Sequence, residues 1–194
     1  MTTRAPDTGR PAGEGPPEQP RWIPEGLADL APSHVQAATP KNLDRWYAVV
    51  VLGYRMAPMP PAARDHVMNP DHVRPMLCPP GQSWGINYGI PNSTERYTAI
   101  DQVRDLVVHH NQALQLYFGG GLVHALIGPQ ENHAPHVRLP APVRTYAAGA
   151  SAVPVAVVRA GLLWMLTPET DGPWAQMVAL DRAAQRSWQR ETAA

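Results

Sequence analysis

The fold is decided by residues 92–118, with the sequence NSTERYTAIDQVRDLVVHHNQALQLYF. Asn92 and Glu95 have the three-residue spacing of a helix capping box. The run Gly119-Gly120-Gly121 follows, and three glycines disfavour continuation of a helix. Between these signals, mostly apolar residues recur at steps of three and four, which places them on one helical face: Ile100, Val103, Val107, His110, Leu114 and Tyr117. The stretch therefore predicts one long helix over about 92–118, roughly 38 Å in length for about 25 residues.

The composition describes one sizeable domain with no dominant charge. The chain has 194 residues, with 16 basic and 16 acidic side chains, which argues against a basic nucleic-acid surface. Cys78 is the single cysteine, so an intrachain disulfide is excluded and a reducing compartment is favoured. The N-terminus has no signal-peptide pattern, and no apolar run reaches about 18 residues. We expect a cytoplasmic protein, or one incorporated into a particle assembled there, that is neither secreted nor inserted in a membrane.

Proline divides the chain into arms and a core. Residues 1–38 predict a Pro-rich arm, extended or disordered, because their apolar content does not offset the entropy of folding. A short docking helix is predicted within this arm at 22–30, with these side chains on or beside one face: Trp22, Ile23, Leu27 and Leu30. Two interpretations remain open. The helix closes over its own domain, or it docks on another subunit or partner.

A single, mainly helical domain is predicted over 39–191, followed by a frayed tail at 192–194. A Pro-rich arm or loop at 57–91 interrupts the domain, and its Trp84 and Tyr88 suit an edge strand or an aromatic contact with a neighbour. Helix is favoured over strand for 43–54, a buried helix is predicted at 151–166, and another helix begins at Gly172-Pro173. The predicted fold class is mainly α, built on the long helix. The alternative is α+β, with a small sheet from 84–89, 122–127 and 143–146.

The residues that could carry chemistry do not form a recognisable set. His110 falls within the apolar stripe, as a ligand or pH-sensitive group or as a core or interface histidine. His133 and His136 form only a pair, whereas zinc requires three or four ligands. Ser83 lies in Gly-Gln-Ser-Trp-Gly, without the preceding strand and following helix of a nucleophile elbow. We assign no catalytic residue, no metal ligand and no cofactor, and the sequence favours a role other than catalysis.

Three functions remain as hypotheses. The first is a structural or assembly subunit of a multimeric particle, such as a virion head, neck or tail component, whose extended arms contact neighbouring subunits. Its partners are further copies or other subunits, not nucleic acid, and its predicted contact residues are Trp22, Ile23, Leu27, Leu30, Trp84 and Tyr88. The first alternative is a small helical ligand- or metal-binding protein or enzyme with a histidine-containing pocket. The second is an adaptor that docks a partner through residues 21–30.

Overall fold

The computed structural model describes residues 22–64, 66, 68, 75–82, 84, 89–110, 112–129, 146–166 and 173–193. The helices are α1 (Pro32–Gln36), α2 (Pro40–Val50), α3 (Pro61–Arg64), α4 (Thr98–Val108), α5 (Val153–Met165) and α6 (Pro173–Ala193). The strands are β1 (Arg55–Ala57), β2 (Met76–Cys78), β3 (Gln112–Gly119), β4 (Leu122–Pro129) and β5 (Tyr146–Ala150). The strands form two antiparallel sheets, one of order β1-β2 and one of order β3-β4-β5.

The single long helix predicted over 92–118 is wrong. Its first residues form a 3₁₀ turn at Ser93–Glu95, its middle forms α4, and its last part is the strand β3. The helical stripe is confirmed only within α4, where Ala99, Val103 and Val107 are buried.

The second half of the stretch forms a strand because its apolar side chains also alternate. Leu114, Leu116 and Phe118 pair with Ile127, Ala125 and Val123 of β4. The glycine run is the turn between these strands, and Gly120 and Gly121 have φ values of 61° and 75°. Two consecutive residues with positive φ suit the tight turns that match the twist of a hairpin. The glycines therefore reverse the chain between two strands.

The mainly α fold class is corrected by this sheet, and the α+β alternative is the observed fold. The expected strand at 122–127 lies within β4. Of the strand expected at 143–146, only Tyr146 is among the described residues, and it begins β5. The expected strand at 84–89 falls mostly outside the described residues. The predicted single long helix is thus replaced by an antiparallel sheet and several shorter helices.

The predicted buried helix at 151–166 is confirmed as α5, which occupies the centre of the domain. It packs against β4 and β5 and also against α1, α2, α4 and the 3₁₀ turn. A helix with neighbours on all sides is apolar all round, and α5 has Arg159 as its only charged residue. Gly161 lets α4 approach closely, because a Cβ there would lie 3.0 Å from Val103 Cγ2.

Helix was favoured over strand for 43–54, and α2 confirms it as far as Val50. The helix begins as the sequence indicates, with the Thr39 hydroxyl accepting a hydrogen bond from the Asn42 N–H at 3.4 Å. Tyr47 is fully buried, and its hydroxyl donates to the Ala99 carbonyl oxygen at 3.5 Å. Burial raises the pKa of Tyr47, so the phenol stays neutral.

A buried carboxylate joins α2 to the 3₁₀ turn. Asp44 accepts hydrogen bonds from the Thr94 N–H at 2.7 Å and from the Thr94 hydroxyl at 3.1 Å. Both residues are buried, so these bonds supply the polar partners that water would otherwise provide. This link fixes the start of the α4 segment against the core.

Candidate interaction surface

The open edge of the larger sheet is the most unusual surface of the described structure. β3 pairs with β4 on one side, and no strand among the described residues pairs with its other side. The strand has eight residues, or roughly 27 Å at about 3.4 Å each, and none of them is charged. Edge strands usually carry lysine, proline, a bulge or a cover that prevents pairing with another chain. β3 has no lysine and no proline.

The tip of the same hairpin carries apolar side chains in solvent. Tyr117 is 55% exposed, Phe118 70% and Leu122 45%. From Gln112 through Ile127 the sequence contains no Asp, Glu, Lys or Arg. We call the strand β3, which includes Tyr117 and Phe118, together with Leu122 the hairpin edge. A cluster of this kind is typical of a surface that contacts another protein.

The opposite edge of the sheet differs. The Arg159 guanidinium of α5 donates from one terminal nitrogen to the carbonyl oxygen of Gly149, which belongs to β5, at 3.1 Å. Its other terminal nitrogen donates to the Ala38 carbonyl oxygen at 3.2 Å. A charged side chain thus lies against β5, whereas the described residues place no comparable group against β3. The asymmetry distinguishes the hairpin edge from the rest of the sheet.

The N-terminal residues predicted to bind a partner lie against their own domain. Residues 25–29 form turns, so the docking helix predicted at 22–30 is absent, and the first helix begins at Pro32. Leu27 is 4% exposed and belongs to the core, while Ile23 and Leu30 pack against that core. Whether these residues also contact a partner stays a prediction.

A buried carboxylate on α6 holds this N-terminal segment in place. Asp181 accepts a hydrogen bond from the Ile23 N–H at 2.6 Å and another from the Gln185 side-chain amide at 3.1 Å. Burial raises the pKa of Asp181, and these hydrogen bonds and the charge of Arg55 partly oppose the shift. Arg55 donates to the Val49 and Tyr54 carbonyl oxygens, which ties the same region to α2.

Two shallow grooves flank Met56 beside this segment. One, of about 510 Å³, lies between the N-terminal residues and α6. The other, of about 340 Å³, lies between Pro24 and the start of α2. Half-buried Trp22 lines the larger groove and forms a β-bridge with Met56. Trp84 is also half-buried, whereas Tyr88 lies outside the described residues.

His110 does not lie in a helical stripe. It follows the end of α4, is exposed, and its ring makes an edge contact with Trp164 at 5.2 Å between centroids. Tyr117, which belongs to the same predicted helical stripe, lies roughly 17 Å beyond Gln112 along β3. Among the described residues, His110 therefore contacts Trp164, whereas Tyr117 lies far along the strand.

Other chemical and membrane features are limited within the described residues. Three or more histidine, cysteine or acidic side chains do not converge anywhere in this part of the chain, and His133 and His136 lie outside it. Cys78 is buried. None of the described helices has the length and apolar character required to cross a bilayer.

Comparison with protein-family models, with curated proteins and with solved structures finds no match. The fold and the surface therefore define only a class: an α+β domain whose antiparallel sheet ends in an uncharged open edge.

The hairpin edge was not predicted from the sequence. The signal was present, because apolar residues occupy every second position at 114, 116 and 118 and again at 123, 125 and 127. Two glycines of the intervening run supply the turn. The residues of the first half of this pattern also fit a helical period, which led to the helical assignment.

Proposed function

We propose that this protein is an assembly subunit that associates with other protein subunits through the hairpin edge. One observation carries the proposal: an uncharged eight-residue edge strand whose tip exposes Tyr117, Phe118 and Leu122. Exposed strands of this kind pair with further chains unless something blocks them. The balanced net charge of the chain is compatible with close packing of many copies.

The proposed contact surface is the hairpin edge and not the N-terminal residues. The side chains of Leu27, Ile23 and Leu30 are engaged by their own core, so using them as anchors would require opening the domain. The hairpin edge requires no rearrangement, because its apolar groups are already in solvent. A role in a multimeric particle remains part of the proposal, with the hairpin edge in place of extended arms.

Sedimentation equilibrium over a range of protein concentrations tests this function. The unmodified chain is expected to form oligomers, and Phe118→Ser is expected to weaken their association roughly tenfold or more. That change corresponds to about 1–2 kcal/mol for an aromatic side chain that loses its buried contact.

Leu180→Ser provides a matched control. Leu180 lies on α6, is 72% exposed, and therefore resembles Phe118 in exposure but not in location. This variant should associate as the unmodified chain does. A chain that is monomeric at all concentrations, or two variants with equal effects, would contradict the proposed function.

A further inference from the structure

The side of β3 that pairs with no described strand determines the kind of partner that it can bind. An edge strand presents alternating N–H and C=O groups, and only another extended segment satisfies them in register. The apolar tip adds side-chain contacts at one end of that segment. The occupant is therefore a strand with apolar and uncharged side chains.

A second copy of this chain supplies such a strand. We infer that β3 of one copy pairs antiparallel with β3 of a second copy about a two-fold axis. The two three-stranded sheets then become one six-stranded sheet. The inference rests on the proposed function and specifies its contact. Because Gln112–Gly119 contains no charged residue, self-pairing places no like charges opposite each other.

Symmetry restricts the register of this pairing. With a two-fold axis perpendicular to the sheet, α5 of both copies lies on the same face of the joined six-stranded sheet. Residues that oppose each other must then come from the same face of β3. Leu114, Leu116 and Phe118 form the core face, because their partners on β4 are the buried Ile127, Ala125 and Val123.

Side-chain complementarity then selects one register. An axis centred on Leu116 places Leu114 of one copy opposite Phe118 of the other, so the exposed aromatic ring gains an apolar partner. On the outer face, the same register places Gln115 opposite Tyr117, two residues that already share a hydrogen bond of 2.9 Å within one chain. An axis centred on Gln115 would instead place Phe118 opposite Gln112. An axis centred on Tyr117 would place Phe118 opposite Leu116 but would pair only residues 115–119 of the two strands. The geometry therefore favours the axis at Leu116.

The edge formed by β5 is a poorer candidate for the same contact. Arg159 donates to the Gly149 carbonyl oxygen, and pairing two such edges would bring two guanidinium groups together. β5 is also shorter, at five residues. The second copy is therefore expected at β3.

Disulfide trapping tests both the edge and the register in the full-length chain. Gln115→Cys and Tyr117→Cys are made separately, and both positions are exposed. Directly opposite residues have Cα atoms about 4.5–5.5 Å apart, and the Cα atoms of diagonal neighbours are about 7–8 Å apart. A disulfide requires Cα atoms about 4.4–6.8 Å apart. Under mild oxidation, an equal mixture of the two variants should give a linked dimer, whereas either variant alone should give little.

The alternatives give different products. A linked dimer from Gln115→Cys alone would overturn the register and place the axis at Gln115. If no variant or mixture cross-links but sedimentation still shows oligomers, edge pairing is refuted while the assembly function stands. If the unmodified chain is monomeric, both fail. The unmodified chain, whose only cysteine is the buried Cys78, is the control for unrelated cross-linking.

Discussion

Gly161→Ala is the substitution whose effect the packing of α5 determines most sharply. In an isolated helix, alanine in place of glycine stabilises by about 0.8–1.0 kcal/mol. Here the new Cβ would lie 3.0 Å from Val103 Cγ2 and 3.8 Å from a ring carbon of Tyr47. Carbon atoms in favourable contact are about 3.5–4.0 Å apart, so Val103 or the α5 backbone must move. Valine has little freedom to move because it is branched at Cβ.

The expected magnitude follows from the two opposing effects. Overpacking a core costs about 1–3 kcal/mol, and the gain in helix propensity offsets about 1 kcal/mol of it. Gly161→Ala should therefore lower the free energy of unfolding by about 1 kcal/mol. In a Val103→Ala background the obstructing methyl groups are absent. The same substitution should then raise the free energy of unfolding by about 0.5–1 kcal/mol.

Urea unfolding of the four chains of this double-mutant cycle measures the effect. The predicted coupling of about 2 kcal/mol lies within the range observed for residues in direct contact. Val107→Ala is a matched control background, because Val107 is also a buried valine of α4 but is not among the nearest neighbours of Gly161. Equal effects of Gly161→Ala in the Val103→Ala and unmodified backgrounds would refute the proposed contact between α4 and α5.

Three further predictions test the hairpin turn and the two buried carboxylates. Gly120→Ala should lower the free energy of unfolding by about 1–2 kcal/mol because the φ of Gly120 is 61°. Gly119→Ala, at a position without positive φ, should lower it less. Equal losses of stability in thermal unfolding would argue against this turn. Asp44→Ala should cost about 1–3 kcal/mol in urea unfolding, because it leaves the buried Thr94 N–H unpaired, and a loss below about 0.5 kcal/mol would contradict that role. The raised pKa of Asp181 means that the folded chain binds this proton more tightly than the unfolded chain does, so the ionised carboxylate destabilises the fold most at neutral pH and less as the pH falls through the folded pKa towards 3.8. The free energy of unfolding of Asp181→Asn, relative to that of the unmodified chain, should therefore decline from pH 7 to pH 4. A difference that stays constant over this range would exclude the shift.

Several elements were predictable because local sequence and tertiary packing favour the same structure. The sequence of α2 indicates a Thr39 cap, a proline in the first turn and an apolar face, and the structure shows all three. α5 was recognisable from its nearly uninterrupted apolar sequence, which suits a helix contacted on all sides. At these positions the preferences of the isolated segment already match those of the folded domain.

The hairpin was not predictable from period alone. Leu114 and Tyr117 fit a helical spacing that continues from α4, while Leu114, Leu116 and Phe118 fit the period of a strand. The strand is favoured by pairing with β4, which packs against α5 and buries Val123, Ala125 and Ile127. A contact between distant segments therefore overrides the local pattern.

The N-terminal segment posed a different difficulty. Trp22, Ile23 and Leu27 are sparse apolar residues next to a Pro-rich arm, and such residues suit a partner groove or their own core equally well. The deciding contact is Asp181, which lies 158 positions away and receives the Ile23 N–H. No local sequence signal identifies a buried aspartate on a distant helix as the acceptor.

Hydrogen exchange of the β3 amides at low and high protein concentration tests the central claim most directly. If the hairpin edge pairs with a second copy, exchange across Gln112–Gly119 should slow as the concentration rises, while exchange across Thr98–Val108 of α4 stays constant. Exchange in β3 that is rapid and independent of concentration would contradict the account.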